Sequence, residues 1–180
     1  MTDTWQTLVL GGGCFWCTES VYVQVRGVRD VESGYCNGDL PHPNYEMVCT
    51  GASGYCEVVK LMYDPAQVST RELLEIFFVI HDPTTLNRQG HDSGTQYRSG
   101  IYFTNPEQEQ IAREVMAELE ASGIYSSPVV TELLPLADYA PAEDYHQDFF
   151  ARNPNQGYCM AVAAPKVVKF RKTFARLQKD

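Results

Sequence analysis

Apolar and polar positions along the chain switch several times between a period of two and a period of 3.6. Trp5 to Leu10 alternate like a short strand, and beyond Gly11-Gly12-Gly13 the residues Phe15, Thr18, Tyr22 and Val25 fall at helical spacing. Residues 26–37 read as a strand with turn residues at its ends. Glu57 to Tyr63 read as another, β-rich and closed by Asp64-Pro65. Between these two, Gly38, Pro41, Pro43, Asn44, Gly51 and Ser53 break any period, so residues 38–53 are expected to be irregular. Ser69 or Thr70 is placed to cap a helix through Leu73, Leu74, Ile76, Phe77 and Ile80.

A long polar loop runs from His81 to Gln96, of a length that is uncommon inside compact domains and often functional. Tyr97–Phe103 predicts a strand. Asn105-Pro106-Glu107 opens the cleanest helix, with Ile111, Val115, Met116 and Leu119 on one face and Gly123 after its end. Val129–Leu134 reads as a strand and Ala140–Phe150 as a short helix rich in aromatic residues. The chain loosens at residues 153–157 and closes on a helix over Lys166–Leu177. Strands separated by helices, with the helices on one side, predict a two-layer α/β sandwich with a mixed sheet, and the pattern does not order the strands. No repeat or linker divides the 180 residues, which predicts one domain.

With 44% apolar and 21% charged residues the composition is that of a globular protein, and a net charge of −9 argues against binding nucleic acid. The basic residues between Lys166 and Lys179 read as a solvated helix or tail. No apolar run approaches membrane-spanning length, and the N-terminus lacks a charged-then-apolar signal. Six cysteines without such a signal point to a reducing compartment, the cytoplasm.

The densest chemistry lies in Gly11-Gly12-Gly13-Cys14-Phe15-Trp16-Cys17. A glycine-rich turn between strand and helix sets Cys14 at a helix N-terminus, where the positive end of the dipole favours a thiolate and lowers the thiol pKa. Cys14 is therefore the candidate nucleophile. Half of a zinc site, or a thiol that merely packs, are the alternatives; no second closely spaced Cys or His pair supports the former. Glu57 begins an apolar strand, where burial makes a carboxyl an acid, although a strand-end glutamate in solvent is the commoner case. Tyr45 and Tyr97 can present hydroxyls or simply pack. Phe15 and Trp16 can line an apolar pocket or belong to the core, and Asp92 can stabilise a turn. His42, His81, His91 and His146 form no ligand pattern and read as structural. Cys159, after a flexible stretch, is either a mobile resolving thiol or one more buried cysteine.

Taken together, Gly13-Cys14-Phe15-Trp16 with Thr18-Glu19, the run Pro43–Gly51, Glu57-Val58-Val59 and Tyr63-Asp64-Pro65 resemble the peptide methionine sulfoxide reductase A family. So do His81-Asp82-Pro83-Thr84, Asn87–Gly90, Asp92, Gly94, Gln96–Ser99, Ala142–Gln147 and Gly157-Tyr158-Cys159, in the family's order. The resemblance implies a ferredoxin-like core over residues 6–160 with a C-terminal tail at 161–180. It also implies a monomer that reduces the S epimer of methionine sulfoxide, free or in proteins, without metal or organic cofactor. In that chemistry Cys14 attacks the sulfoxide sulfur while Glu57, Tyr45 and Tyr97 take up the oxygen. Phe15 and Trp16 hold the methyl, and Asp92 ties the loop. Cys159 closes a disulfide on the sulfenic acid, and thioredoxin or a similar dithiol reduces it.

Three departures bear on the disulfide. Cys17 stands where many members have glycine, and so competes with Cys159 as the resolving thiol. Cys56 adjoins Glu57, and Cys36 interrupts the usual paired glycines. The rival readings are a general dithiol–disulfide oxidoreductase using Cys14-x-x-Cys17 and a non-catalytic metal-binding module.

Overall fold

In a computed structural model, which describes residues 5–38 and 43–179, six strands form one mixed sheet in the order β7-β6-β1-β3-β2-β8. These are β1 (Gln6–Gly12), β2 (Val28–Cys36), β3 (Cys56–Tyr63), β6 (Ser99–Phe103), β7 (Glu132–Pro135) and β8 (Ala140–Pro141). All neighbours are antiparallel except β6 and β7. Both outermost strands are short, and each ends on a proline, Pro135 and Pro141.

Helices α1 (Phe15–Tyr22) and α3 (Thr70–Ile80) follow β1 and β3, and α4 (Pro106–Ser122) follows β6. Alternation decides which residues meet them. Leu8, Leu10, Val59, Leu61 and Ile101 join the main core with Val21, Leu73, Phe77 and Val115. Val9, Val58 and Tyr102 form a smaller cluster with Cys36 and Cys56, under Leu136 and Tyr139.

Local signals in the sequence set the helix ends. The Ser69 hydroxyl accepts from the Glu72 amide at 3.0 Å while the Glu72 carboxylate accepts from the Ser69 amide at 3.0 Å, a reciprocal capping box. Asn105 accepts from the Gln108 amide at 2.9 Å to start α4, and Gly123 ends it at φ 71°. The polar stretch 81–96 holds a small hairpin, β4 (Arg88–Gln89) with β5 (Asp92–Ser93), and a 3₁₀ turn at Thr95–Tyr97.

Three expectations are corrected. Within the stretch expected to be irregular, α2 (Tyr45–Cys49) forms because Asn44 caps it, accepting from the Met47 amide at 2.8 Å. Ala140–Phe150 is not a helix. Its first residues pair with β2 as β8, a 3₁₀ turn covers Asp144–His146, and α5 (Phe149–Arg152) starts only after Asp148, which sits at φ 54°. The C-terminal residues are no tail: a π-helical turn (Cys159–Ala163) leads into α6 (Ala164–Thr173). Val167, Phe170, Phe174 and Leu177, a helical stripe, are buried in the main core. Among the described residues no helix is long and apolar enough to cross a membrane.

Candidate active site

The site begins where β1 becomes α1. Gly13 has φ 97°, and a Cβ there would come within 2.7 Å of Gln89 Cγ, so only glycine lets the β4–β5 hairpin close over the turn. The next residue, Cys14, is the N-cap of α1 and partly exposed. β1 pairs with β3 as far as Leu10 opposite Val59, two residues short of Glu57. This register brings Glu57 beside the head of α1, where its Oε1 accepts from the Phe15 amide at 3.3 Å. Glu57 is 1% exposed, and its second oxygen, Oε2, has no hydrogen-bond partner.

Burial is the main reason that the Glu57 carboxyl is raised to about 8, the charges of Asp92 and Cys17 adding to it against the Phe15 amide. It is therefore an acid that keeps its proton at neutral pH. The Tyr45 and Tyr97 hydroxyls are also raised, first by burial, then at Tyr45 by Cys49 and at Tyr97 by Glu57, with Glu57 and Cys14 adding at both. Asp92 accepts a hydrogen bond from the Tyr158 hydroxyl. Cys14, Tyr45, Glu57 and the loop that carries both Asp92 and Tyr97 thus come from four separate stretches into one neighbourhood.

The helix N-terminus does not by itself decide the thiols. Burial and a hydrogen bond to Cys17 raise Cys14 well above the ordinary thiol value, the Glu57 charge adding to them, while the Trp16 amide pulls the other way. Cys17, one turn into α1, is lowered, first by that hydrogen bond from Cys14 and further by Lys166 and Tyr158. The dipole of α1 is thus opposed at Cys14 by burial and by the charge of Glu57. Cys159 is fully buried and feels Cys17.

An aromatic wall stands beside the sulfur. The Trp16 indole N–H donates to His146 Nδ1 at 3.0 Å, and the Trp16 ring stacks on Phe149 at 3.8 Å with an interplanar angle of 5°. Phe15 is buried in the core, touching Tyr35 and His146. Because His146 Nδ1 accepts, its proton sits on Nε2, which is buried without a partner.

Residues 6–178 match the family model described as peptide methionine sulfoxide reductase. The chain belongs to that family. A protein of Polynucleobacter asymbioticus named peptide methionine sulfoxide reductase MsrA is 58% identical over 174 residues, 97% of this chain and 92% of that protein. Among solved structures, methionine sulfoxide reductase A of Corynebacterium diphtheriae is 38% identical with a TM-score of 0.78, covering 89% of this chain and 80% of that one. The reduced form of Mxr1 from Saccharomyces cerevisiae is 34% identical with a TM-score of 0.79, over 91% of this chain and 94% of that one. The same yeast protein in complex with Trx2 is like this chain in fold, at 22% identity and a TM-score of 0.56 over 83% of this chain and 88% of that one.

Within this sulfoxide reductase fold the sequence reading passed over His146, Tyr158 and Phe149. No metal-ligand pattern marks His146, yet it orients Trp16 through one hydrogen bond; its neighbours in the segment Ala142–Gln147 are the available signal. Of the other histidines, His81 is buried between Phe77 and Ser99, His91 is exposed, and His42 lies outside the described residues. Among the described residues no group of three or more His, Cys, Asp or Glu could hold a metal ion. Cys49 is exposed on α2, and Cys36 faces Cys56 across β2 and β3 on the far side of the sheet.

Proposed function

We propose that the chain is a single-domain, monomeric peptide-methionine (S)-S-oxide reductase, acting on free methionine sulfoxide or on oxidised methionine in proteins. The observation that carries the reading is the buried Glu57 carboxyl, protonated at neutral pH and with Oε2 unpartnered, next to the Cys14 thiol. A sulfoxide combines an electrophilic sulfur with an oxygen that gathers negative charge as the sulfur is attacked. A neutral acid and two tyrosine hydroxyls are the donors that such an oxygen needs.

The sulfur of Cys14 attacks the sulfoxide sulfur, and its proton ends on Glu57, replacing the one that this acid gives to the oxygen. Glu57 gives its proton to the oxygen, with Tyr45 and Tyr97 donating hydrogen bonds. The oxygen then passes from the substrate sulfur to the Cys14 sulfur, the old S–O bond breaking as the new one forms; the S–S bond between Cys14 and substrate breaks with its electron pair on the substrate sulfur, so that methionine departs and Cys14 is left as a sulfenic acid. Phe15 and Trp16 line the methyl pocket, and Asp92 holds Tyr158 and the loop.

A thiol then attacks the Cys14 sulfur, releasing water and closing a disulfide. Cys17 stands three residues along α1 from the Cys14 N-cap, which supports it as the first partner. Cys159, the match to the family's Gly-Tyr-Cys, is near enough to feel the charge of Cys17 and takes over the bridge by thiol–disulfide exchange. Thioredoxin or a similar dithiol returns the enzyme to its thiols. Such a cycle belongs in a reducing compartment, the cytoplasm. The order β6-β1-β3-β2, with α1 and α3 as crossovers, supports a ferredoxin-like description of the core.

The test is stoichiometry without a recycling reductant, using resolved epimers. The S epimer should release one methionine per chain and consume two thiols, and the R epimer none. The Cys14→Ser protein should release nothing. Equal reaction with both epimers, or release by Cys14→Ser, refutes the reading. The Cys14–Cys17 contact also suits a general dithiol–disulfide oxidoreductase. That alternative requires Cys17→Ser to abolish all activity, including the first methionine.

A further inference from the structure

Glu19 is 2% exposed and takes no part in the chemistry above. It lies in α1, on the turn after Trp16. Its carboxylate accepts from the Ser33 hydroxyl at 3.1 Å and faces the main-chain N–H groups of Asp148 and Phe149, which favour its charge against the burial that opposes it. These two amides belong to a bend that needs holding. Asp148 has φ 54°, unusual for a residue other than glycine, and no side chain caps α5. Gln147, one residue earlier, is fixed separately: its side chain accepts from the Ser33 amide and donates to the Ser33 carbonyl, each at 2.9 Å. The bend thus has two anchors, of which Glu19 is the one that reaches the residue stacked on Trp16.

We propose that Glu19 is a positioning residue: through the amides of Asp148 and Phe149 it holds the Phe149 ring flat against Trp16, and so sets the wall of the pocket beside Cys14. The effect on substrate rests on the proposed role of Trp16, whereas the hold on Trp16 does not. A carboxylate suits the place because it offers two oxygens to three donors without competing for them. Glutamine keeps the shape: its carbonyl can serve the two amides while its NH₂ donates to the Ser33 oxygen. Aspartate keeps the charge but falls one methylene short, and alanine removes the link.

The chain has two tryptophans, so a Trp5→Phe background leaves Trp16 as the sole indole emitter. In that background Glu19→Gln should keep the parent emission, and its KM for S-methionine sulfoxide should stay within about threefold. Glu19→Asp and Glu19→Ala should red-shift the emission and speed amide exchange at residues 147–150. Their KM should rise about tenfold or more, with the saturated first-turnover rate within about threefold. Phe149→Ala should give the same split, and adding Glu19→Ala to it should cost little more. Should the alanine variant fail to fold, the aspartate variant carries the test. A folded Glu19→Asp protein with parental emission and KM overturns the proposal. Shifted emission with unchanged KM leaves Glu19 holding Phe149 on Trp16, and instead refutes the assignment of Trp16 to the substrate pocket.

Discussion

Glu57→Gln should make this protein more stable and nearly inactive. The unfolded chain releases the Glu57 proton near the ordinary value of 4.5, whereas the folded site keeps it to about 8. At about 1.4 kcal/mol for each tenfold step in proton affinity, the separation is worth about 5 kcal/mol. The side chain is 1% exposed, so solvent screening does not discount it. A folded-state pKa above the unfolded one means that the stability is whole below about pH 4.5 and falls as pH rises. The loss is complete above about pH 8. At pH 7 the cost of folding around a protonated Glu57 is about 3 kcal/mol. Glutamine keeps the shape and bears no such cost. Urea unfolding from pH 4.5 to 9 should show the two proteins equal at the acid end. The variant should gain steadily toward pH 8, reaching a melting temperature about 6–12 °C higher at pH 7. The amide has no proton to give, so the first-turnover rate should fall about 10²–10⁴-fold. A stability difference that is flat with pH, or a variant turning over within about tenfold of the parent, would refute the assignment of Glu57 as a buried neutral acid.

Three further outcomes are expected. Cys17→Ser should still release one methionine per chain, while disulfide closure, followed by thiol titration after quenching, slows by about tenfold or more because the adjoining thiol is gone. In the parent protein the first-turnover rate should decline above pH 8, as Glu57 loses the proton that it gives to oxygen; a rate still rising through pH 9 counts against that role. Gly13→Ala should destabilise by about 1–3 kcal/mol and lower activity, since φ 97° and the Gln89 side chain at 2.7 Å leave no room for a methyl.

Features governed by neighbouring residues were legible in the sequence. The Ser69 capping box, the Asn105 cap and the Gly123 terminus act over three or four residues, and they appear where the pattern put them. The five residues of α2 were hidden among prolines and glycines because one Asn44 side chain suffices to start so short a helix. The bend at Asp144–Phe149 was hidden for another reason: its hydrogen bonds go to Glu19 and Ser33, more than a hundred residues away in sequence, and no local pattern carries them. Periodicity gave no pairing of Cys14 with Glu57, which the β1–β3 register creates; the motif resemblance joined them instead. A helix start argues for a thiolate at Cys14, whereas the burial of that sulfur, which opposes ionisation, comes from packing that no local pattern carries.

The prolines that close β7 and β8 matter to a protein working among damaged chains. An oxidised, partly unfolded polypeptide exposes backbone groups ready to pair with any open strand. Here each rim of the sheet offers only a brief stretch ending at Pro135 or Pro141, residues without an N–H to donate. A client polypeptide can therefore present its oxidised side chain to the pocket without zipping onto the repair protein and seeding an aggregate.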